Sequence, residues 1–386
     1  MTLITRGKSR FFVLIALAAL GAGGLSMAQA PNTPPAPKPM PDVLTFTNGE
    51  KLIGHLVRSV GGSVTFHSDT LGDVTVDWGK IQQLDTFQQF AVIPKGAKLR
   101  GQQDAGSVPQ GTVSVKDNTV TVTPAPGQGA QTVPVGNTGY IVDEARFRSI
   151  ILHQPHFLAG WTGAVTAGAS FLEATQNNHT FFGAVNLVRA VPTENWLPLR
   201  NRTIIDFNGA YSLLMQPHTP QVRTDLYHAL AERDEYFTAR VYGFGLAAFD
   251  HNSAQGLDLQ QIYGGGIGWT IIDTANQTFD VKGTVNYQRQ QFLASAVTQS
   301  LVGSTFTEHY NRKLPHGLVF NEQLSVVPAW SNTHAYWMAF NTSVTMALSR
   351  RFSFSTGIID TYLNNPPPGF QKNSFQLTAG VSYSLQ

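Results

Sequence analysis

The chain contains no cysteine among its 386 residues. Disulfides, thiolate metal sites and a lipid-modified cysteine anchor all need that residue, so each of them is excluded. Charge is also scarce, because Asp, Glu, Lys and Arg make up only 13% of the chain, against about 25% in a typical soluble protein. The net charge is +2, and no run of Lys or Arg supplies the basic patch that a nucleic-acid partner needs.

Long hydrophobic runs are absent beyond the N-terminus. There, basic residues up to Arg10 precede the apolar stretch Phe11–Leu20 and a group of small residues ending at Ala30. This order predicts a secretory signal peptide over residues 1–28, cleaved after Ala28. Cleavage after Ala30 and an uncleaved anchor are the alternatives. The apolar stretch is shorter than the roughly 20 residues of a membrane-spanning helix, so we expect an exported chain without a helical span.

Proline and glycine divide the next part of the chain. Residues 29–41 are proline-rich and are predicted to form an extended linker. From Asp42 onward, short apolar segments alternate with Asn48-Gly49 and Gly61-Gly62 pairs. Such pairs supply the positive φ angles of tight hairpins, so this region is predicted to be all β.

A weak internal repeat runs through the same region. Lys51–Gly54 (KLIG) is echoed by Lys98–Gly101 (KLRG). The repeat predicts two small SH3/Sm-like β-modules in tandem, at 42–90 and 91–143. A short junction at 144–156 would follow them.

The C-terminal region, 157–386, contains longer segments in which apolar and polar residues alternate. In the last of them, Phe375, Leu377 and Val381 fall on one face and small uncharged residues on the other. Alternation of this length indicates strands with one apolar and one hydrated side. We predict about twelve strands, at 157–172, 178–191, 199–214, 222–231, 235–250, 258–273, 277–292, 303–313, 317–329, 335–348, 351–362 and 373–385.

An even number of such strands is typical of a transmembrane antiparallel β-barrel in the bacterial outer membrane. Predicted turn lengths agree with this interpretation, because short turns there face the periplasm and long loops face outside. The short connections are near 232–234, 274–276, 314–316 and 349–350, and the longer ones near 251–257, 293–302 and 363–372. The N-terminal region would then lie in the periplasm. A soluble β-sandwich or lipocalin-like fold is the alternative, although it would carry more surface charge.

Several segments together resemble a known family. They are Trp161–Gly163, Glu232–Phe237 (ERDEYF), Arg240, Tyr242, Phe249, Asp250, Gly256–Gln260 and Gly264–Trp269. On these residues the region 157–386 resembles the salt-induced outer-membrane protein family, catalogued as domain of unknown function 481. The resemblance implies an outer-membrane barrel and an association with salt stress, but no reaction. One departure is the end of the chain at Leu385-Gln386, where many outer-membrane barrels have an aromatic residue that their assembly machinery recognises.

Charged residues within the predicted strands are the main candidates for a functional site. The candidates for lumen-facing charges are Arg233, Asp234, Arg240, Asp258, Lys282, Glu308 and Arg312. A charge on the lipid side costs about 2–4 kcal/mol near the midplane, which favours an inward position for a residue such as Lys282. These charges would form either an ion-pair network that fills the barrel or the lining of a narrow passage.

Catalytic and metal-binding patterns are weak. The set Asp250–Ser253 combines an acid, an imidazole, an amide and a hydroxyl, but adjacent residues point in different directions. Nothing in the spacing of Ser304 and His309 favours catalysis. His153 and His156, three residues apart, could share a helix face as metal ligands, but Pro155 lies between them and no carboxylate is close by. The glycine run Gly264–Gly268 lies inside a predicted strand and lacks the helix of a phosphate loop. We therefore predict no catalytic residue, no cofactor and no metal.

The sequence thus predicts a non-enzymatic outer-membrane β-barrel with a structural or stress-related role in the envelope. A narrow passive channel is the first alternative and an outer-membrane hydrolase the second. The expected partners are outer-membrane lipid and the barrel-assembly machinery. Peptidoglycan or periplasmic proteins are candidate partners of 42–143.

Overall fold

A computed structural model describes most of the chain, and the fold below refers to those parts. They are residues 40–97, 99, 102–124, 129–152, 156–173, 177–194 and 197–385. They form one compact unit that begins at Pro41. The predicted signal peptide and nearly all of the predicted linker lie outside the described residues.

The N-terminal region forms one antiparallel sheet of nine strands. They are β1 (Asp42–Phe46), β2 (Lys51–Val60), β3 (Ser63–Ser68), β4 (Gly72–Asp77), β5 (Ile81–Pro94), β6 (Gln110–Lys116), β7 (Thr119–Thr123), β8 (Gln131–Pro134) and β9 (Thr138–Asp143). Eight of them follow the order β4-β3-β2-β1-β5-β6-β7-β8. The ninth, β9, pairs with both β2 and β5, so that β1, β2, β9 and β5 close a small barrel-like ring.

This arrangement differs from two tandem modules. The predicted boundary between residues 90 and 91 falls inside β5, and one apolar cluster contains residues from both sides of it, such as Phe66 and Val120. The two halves of the repeat therefore supply strands to one sheet with a shared core. Because similar hairpins have similar sequences, the repeat signals hairpins and does not by itself separate domains.

Short helical turns join the strands of this region and lead to the barrel. Three-residue or six-residue 3₁₀ turns occur at Trp78–Lys80, Gln102–Ser107 and Val135–Asn137. After β9 comes α1 (Glu144–Arg146). Its N-cap is Asp143, whose side chain accepts a hydrogen bond from the Arg146 N–H. A π turn at Phe147–Ile151 continues it.

The C-terminal region is a closed antiparallel barrel of twelve strands, as the alternation predicts. The strands are β10 (Trp161–Glu173), β11 (Asn177–Val191), β12 (Asn201–Met215), β13 (Val222–Tyr236), β14 (Val241–Asn252), β15 (Leu257–Asp273), β16 (Gln277–Phe292), β17 (Ser295–Lys313), β18 (Leu318–Pro328), β19 (Tyr336–Ala347), β20 (Phe352–Leu363) and β21 (Asn373–Leu385). Pairing of β10 with β21, with Val165 opposite Tyr383, closes the ring.

Two predicted turns lie elsewhere in the structure. The turn predicted near 232–234 lies at 237–240, between β13 and β14. Glu232 and Asp234 therefore belong to strand β13. The strand tolerates these charges because both side chains face the interior. Similarly, β17 begins at Ser295, and the long loop predicted at 293–302 is a two-residue turn. The polar residues predicted to form that loop instead extend β17 and pair with β16, where Ser300 lies opposite Arg289.

The outer face of the barrel is largely apolar and exposed. Leu377 on β21 is 70% exposed, Ile267 on β15 62% and Val285 on β16 57%. On β21 the alternation is as predicted: Phe375 and Val381 are outside, while Ser382 is buried and lies 2.7 Å from Thr166 across the β10–β21 seam. Among the described residues, no helix is long and apolar enough to cross a membrane.

The N-terminal sheet contacts the barrel at one rim, here called the proximal rim, through the β11–β12 turn at 192–200. Leu197 packs in an apolar cluster with Phe147 and Leu152. Arg146 Nη2 lies 3.1 Å from Glu194 Oε1. Arg200 Nη1 donates to the Leu99 carbonyl at 3.2 Å, and burial lowers the pKa of its guanidinium. The opposite rim, which carries residues 253–256 and 364–372, is called the distal rim.

Leu197→Ala should weaken this junction, because it removes a buried side chain from the apolar cluster. We expect a loss of about 2 kcal/mol or more, seen as faster proteolytic cleavage within residues 144–160 while the barrel itself stays resistant. Leu348→Ala is the matched control, because Leu348 lies in another hairpin turn and is 57% exposed. Equal cleavage of the two variants would contradict the junction's role.

Candidate functional site: the barrel interior

The interior of the barrel is the candidate functional site, and a contact between distant strands identifies its inward rows. Lys282 Nζ on β16 makes an ion pair with Glu232 Oε1 on β13. Two strands separate β13 from β16 in the wall, so these side chains can meet only inside the lumen. Because side chains alternate strictly along a strand, this contact and the strand registers assign the inward rows of the neighbouring strands.

A charged layer occupies the lumen near the proximal rim. Arg202 Nε donates to Asp234 Oδ2 at 2.6 Å, and its guanidinium lies 5.2 Å from the centre of the Tyr242 ring. Asp280 accepts a hydrogen bond from Thr270 Oγ1 at 2.6 Å. The carboxylates are bonded and buried, with Asp234 at 0% and Glu232 at 4% exposure. Such pairing is what makes buried charges tolerable.

A glycine makes room for the largest side chain of this layer. A Cβ atom on Gly268 would lie only 2.2 Å from the Tyr242 ring. Tyr242 is fully buried, and its ring packs closely against Gly268 on the neighbouring strand. This close approach explains one member of the glycine run that resembled a phosphate loop.

Amides, one imidazole and the Asp250 carboxylate occupy the middle of the lumen. His228 Nδ1 lies 2.7 Å from Asp250 Oδ1. Gln290 Nε2 donates to Gln260 Oε1 at 2.7 Å, and Gln260 Nε2 donates to Asp250 Oδ2 at 3.4 Å. The network fills the side of the lumen formed by β13–β16.

Side chains from opposite walls meet at the distal rim. Gln255, which is fully buried, donates through Nε2 to the carbonyls of Thr361 at 3.0 Å and Lys372 at 2.7 Å. Asn252 Nδ2 donates to Gln255 Oε1 at 2.9 Å and to Thr361 Oγ1 at 3.3 Å. We call Asn252, Gln255, Thr361 and Lys372 the cross-mouth bridge. Below it, Leu257, Phe292, Val327, Trp337, Ala339 and Leu363 form an apolar cluster.

The remaining part of the inner wall carries mostly small residues, with the Phe182 ring of β11 packed against Gly168 and Gly380. Inward positions on β19, β20, β21 and β10 include Ser343, Ser355, Thr378 and Thr166, which are all half-buried. No charged side chain projects inward from the described residues of these four strands. The lumen is therefore asymmetric, with large bonded side chains on one side and small polar ones on the other.

The seven predicted lumen charges occupy different positions. Asp234 and Lys282 face inward, within the charged layer. Arg233, Glu308 and Arg312 lie on outward rows, Arg240 is in the turn at 237–240, and Asp258 lies beside the outward-facing His251 at a β-bulge. The physical reason is the two-residue period, since a shift of one position moves a side chain to the other face.

Four interior residues were not among the predicted lumen candidates, namely Arg202, Glu232, Tyr242 and Gln255. Extending the alternation of β13 from Asp234 would have placed Glu232 inward. No local pattern indicates the contact of Gln255 with Thr361, because those residues are 106 positions apart.

The residues considered for catalysis do not form a triad. His251 faces outward with its Nδ1 2.5 Å from the Asp258 carbonyl, whereas Asp250 faces inward. Ser253 Oγ is bonded to the Asp225 backbone N–H at 2.8 Å and carbonyl at 3.0 Å. Ser304 and His309 lie on opposite faces of β17.

Metal ligands are likewise not grouped. His153 lies outside the described residues, and the described ones include no group of three or more His, Asp or Glu that could hold a metal ion.

The fold and its interior define a closed antiparallel twelve-strand β-barrel, preceded by a β-sheet region. A family model described as "Protein of unknown function, DUF481" matches residues 165–385. This match covers more than half of the chain, so the chain belongs to that family. Among curated proteins, none matches the chain.

Three solved structures with a similar barrel are the NanC porin, the translocator domain of the autotransporter NalP from Neisseria meningitidis, and an anion-selective porin from Comamonas acidovorans. Their sequence identities are 9%, 10% and 6%, and their TM-scores 0.35, 0.31 and 0.26. Each alignment covers 58% of this chain, and 100%, 87% and 97% of the three structures. At these values the likenesses support no inference about activity.

Lys282→Met should destabilise the barrel, because it leaves the buried Glu232 carboxylate without its partner. Breaking a buried pair in this way costs about 3–5 kcal/mol, measurable as a lower midpoint of chemical unfolding in detergent. Adding Glu232→Gln should recover part of the loss. Lys313→Met, at an exposed strand end, is the control. A midpoint equal to that of wild type would contradict the pair inside the lumen.

Proposed function

We propose that this chain is a bacterial outer-membrane β-barrel with a structural role in the cell envelope, in which the interior is closed by its own side chains. The observation that carries the proposal is the Lys282–Glu232 pair inside the lumen. A barrel that serves mainly as an open pore would have little reason to fill its lumen with bonded carboxylates and amides. Salt or osmotic stress, implied by the family resemblance, is the proposed condition of its use.

The exposed apolar outer face supports the membrane location. Large apolar side chains such as Leu377, Ile267 and Phe306 project from strands all round the barrel. Exposed apolar surface of this extent is rare on soluble proteins and matches the acyl chains of a lipid bilayer. Outer-membrane lipid and the barrel-assembly machinery are then the proposed partners.

The N-terminal sheet is proposed to lie in the periplasm and to be held there by the barrel. Its junction at Leu197 and the Arg146–Glu194 ion pair would give it a defined position at the proximal rim. Peptidoglycan or periplasmic proteins are its proposed partners. A predicted signal peptide over residues 1–28 agrees with export.

A narrow channel is the second candidate function. The observation that favours it is the wall of small, half-buried residues such as Ser355 and Thr378. Apart from the Phe182 ring, which packs against Gly168 and Gly380, the described side chains of this wall are mostly shorter than those on the other side of the lumen.

Purified wild-type protein should show no steady current in a planar bilayer, because bonded side chains fill the lumen and cross its distal mouth. The same sample should migrate differently on a gel before and after boiling, which checks that a folded barrel was inserted. A steady open current would overturn the proposed structural role in favour of the narrow channel. Identical migration of both samples, or recovery of the protein outside the outer-membrane fraction, would contradict the barrel's proposed location.

We also propose that the barrel is not a hydrolase, because Ser253 is bonded to backbone and His251 to the Asp258 carbonyl. The wild-type protein should release no fatty acid from phospholipid and no product from ester substrates above a blank. Turnover that disappears in His251→Ala or His309→Ala would overturn this proposal.

A further inference from the structure

The cross-mouth bridge joins opposite sides of the barrel. Asn252 ends β14 and Gln255 lies in the following turn, whereas Thr361 is on β20 and Lys372 precedes β21. In a ring of twelve strands, β14 and β20 are six apart, which places them on opposite walls. The turn at 253–256 therefore folds inward over the lumen and reaches the far side.

The turn is built for this inward position. Asn252 Oδ1 accepts the Gln255 N–H at 3.2 Å, and Ser253 Oγ holds the turn to the Asp225 backbone. Gly256 has φ of +70° and a Cβ there would lie 2.9 Å from the Phe370 ring. Phe370, in the loop between β20 and β21, thus covers the turn from the opposite side.

The contacts of Gln255 are specific to an amide. Its Nε2 donates to two carbonyl oxygens, and its Oε1 accepts from Asn252. A carboxylate of the same shape would place an oxygen against the Thr361 and Lys372 carbonyls. The bridge can therefore be broken with almost no change in volume.

The apolar cluster does not extend over the whole inner wall. It is formed by residues of β15, β16, β18, β19 and β20, and it has no member on β21 or β10. The inward residues of those two strands include Thr378 and Thr166, and the Phe182 ring of β11 packs between these positions, against Gly168 and Gly380. The bridge crosses the distal mouth above this part of the wall.

We propose that the cross-mouth bridge is a gate that keeps a narrow hydrated path through the barrel closed. When its hydrogen bonds break, the turn at 253–256 moves off the mouth, and small solutes and ions pass along the wall formed by β21 and β10. This inference rests on the proposed membrane barrel and adds a conducting minor state to its closed form.

The test is single-channel recording of Gln255→Glu in a planar bilayer, with wild type beside it. Loss of two buried donor bonds should raise the ratio of open to closed time about tenfold or more. Gln255→Ala should do the same, whereas Gln323→Ala, which shortens an inward-facing glutamine on β18 away from the bridge, should behave as wild type. If the ratio of open to closed time rises in Gln255→Ala but not in Gln255→Glu, the side chain blocks by its size. That result would overturn the gate.

Phe370→Ala provides a second variant whose change lies in a loop and spares the strands. It should also raise the open ratio, because the ring no longer covers Gly256. Gel migration before and after boiling, measured for every variant, distinguishes failure of the gate from failure of the membrane barrel. Folded, inserted variants that all remain closed would overturn the gate alone, and proteins that neither insert nor show altered migration would overturn the membrane barrel.

Discussion

The pairing of β10 with β21 is the interaction on which the rest of the structure depends. The pairing joins Gly163–Ala167 to Val381–Leu385. Once it forms, the ring of twelve strands is closed and has no free first or last strand. That condition is strict in a bilayer, where water cannot satisfy exposed peptide groups. Closure also turns the alternation along each strand into an inside and an outside, so that Val381 faces outward and Ser382 inward across the seam. The inward-facing residues of the seam, Ala164, Thr166, Ser382 and Ser384, are small.

The interior is organised in layers along the barrel axis, and each layer satisfies its polar groups differently. Charges pair near the proximal rim, as Arg202 does with Asp234, and amides bond to one another in the middle. At the distal rim the contacts change to an apolar cluster beneath the bridge of Gln255. Because buried polar groups are costly when unpaired, these layers stiffen the wall that they fill. On the opposite wall the bonds are made by short side chains, as where Thr345 Oγ1 donates to Ser355 Oγ at 3.2 Å.

The N-terminal sheet shows where local patterns mislead. The echo of Lys51–Gly54 at Lys98–Gly101 correctly marks β-hairpin chemistry, yet β5 passes through the predicted boundary and β9 returns to pair with β2. Turn residues and alternation report neighbours along the chain. The pairing of distant strands depends on a shared core. Phe66 and Val120, from the two predicted modules, belong to one such apolar cluster.

The sequence by itself determined the strand content of the barrel, its number of strands and the two faces of β21, because each follows from a two-residue period that is local. Only the tertiary structure decided which charges share the lumen. Asp234 and Lys282 do, while Arg233 and Glu308 lie on outward rows. It also decided the contacts inside the lumen, since Lys282 meets Glu232 from 50 positions away and Asn252 meets Thr361 from 109. Barrel closure creates such contacts, and no segment of the chain contains them alone.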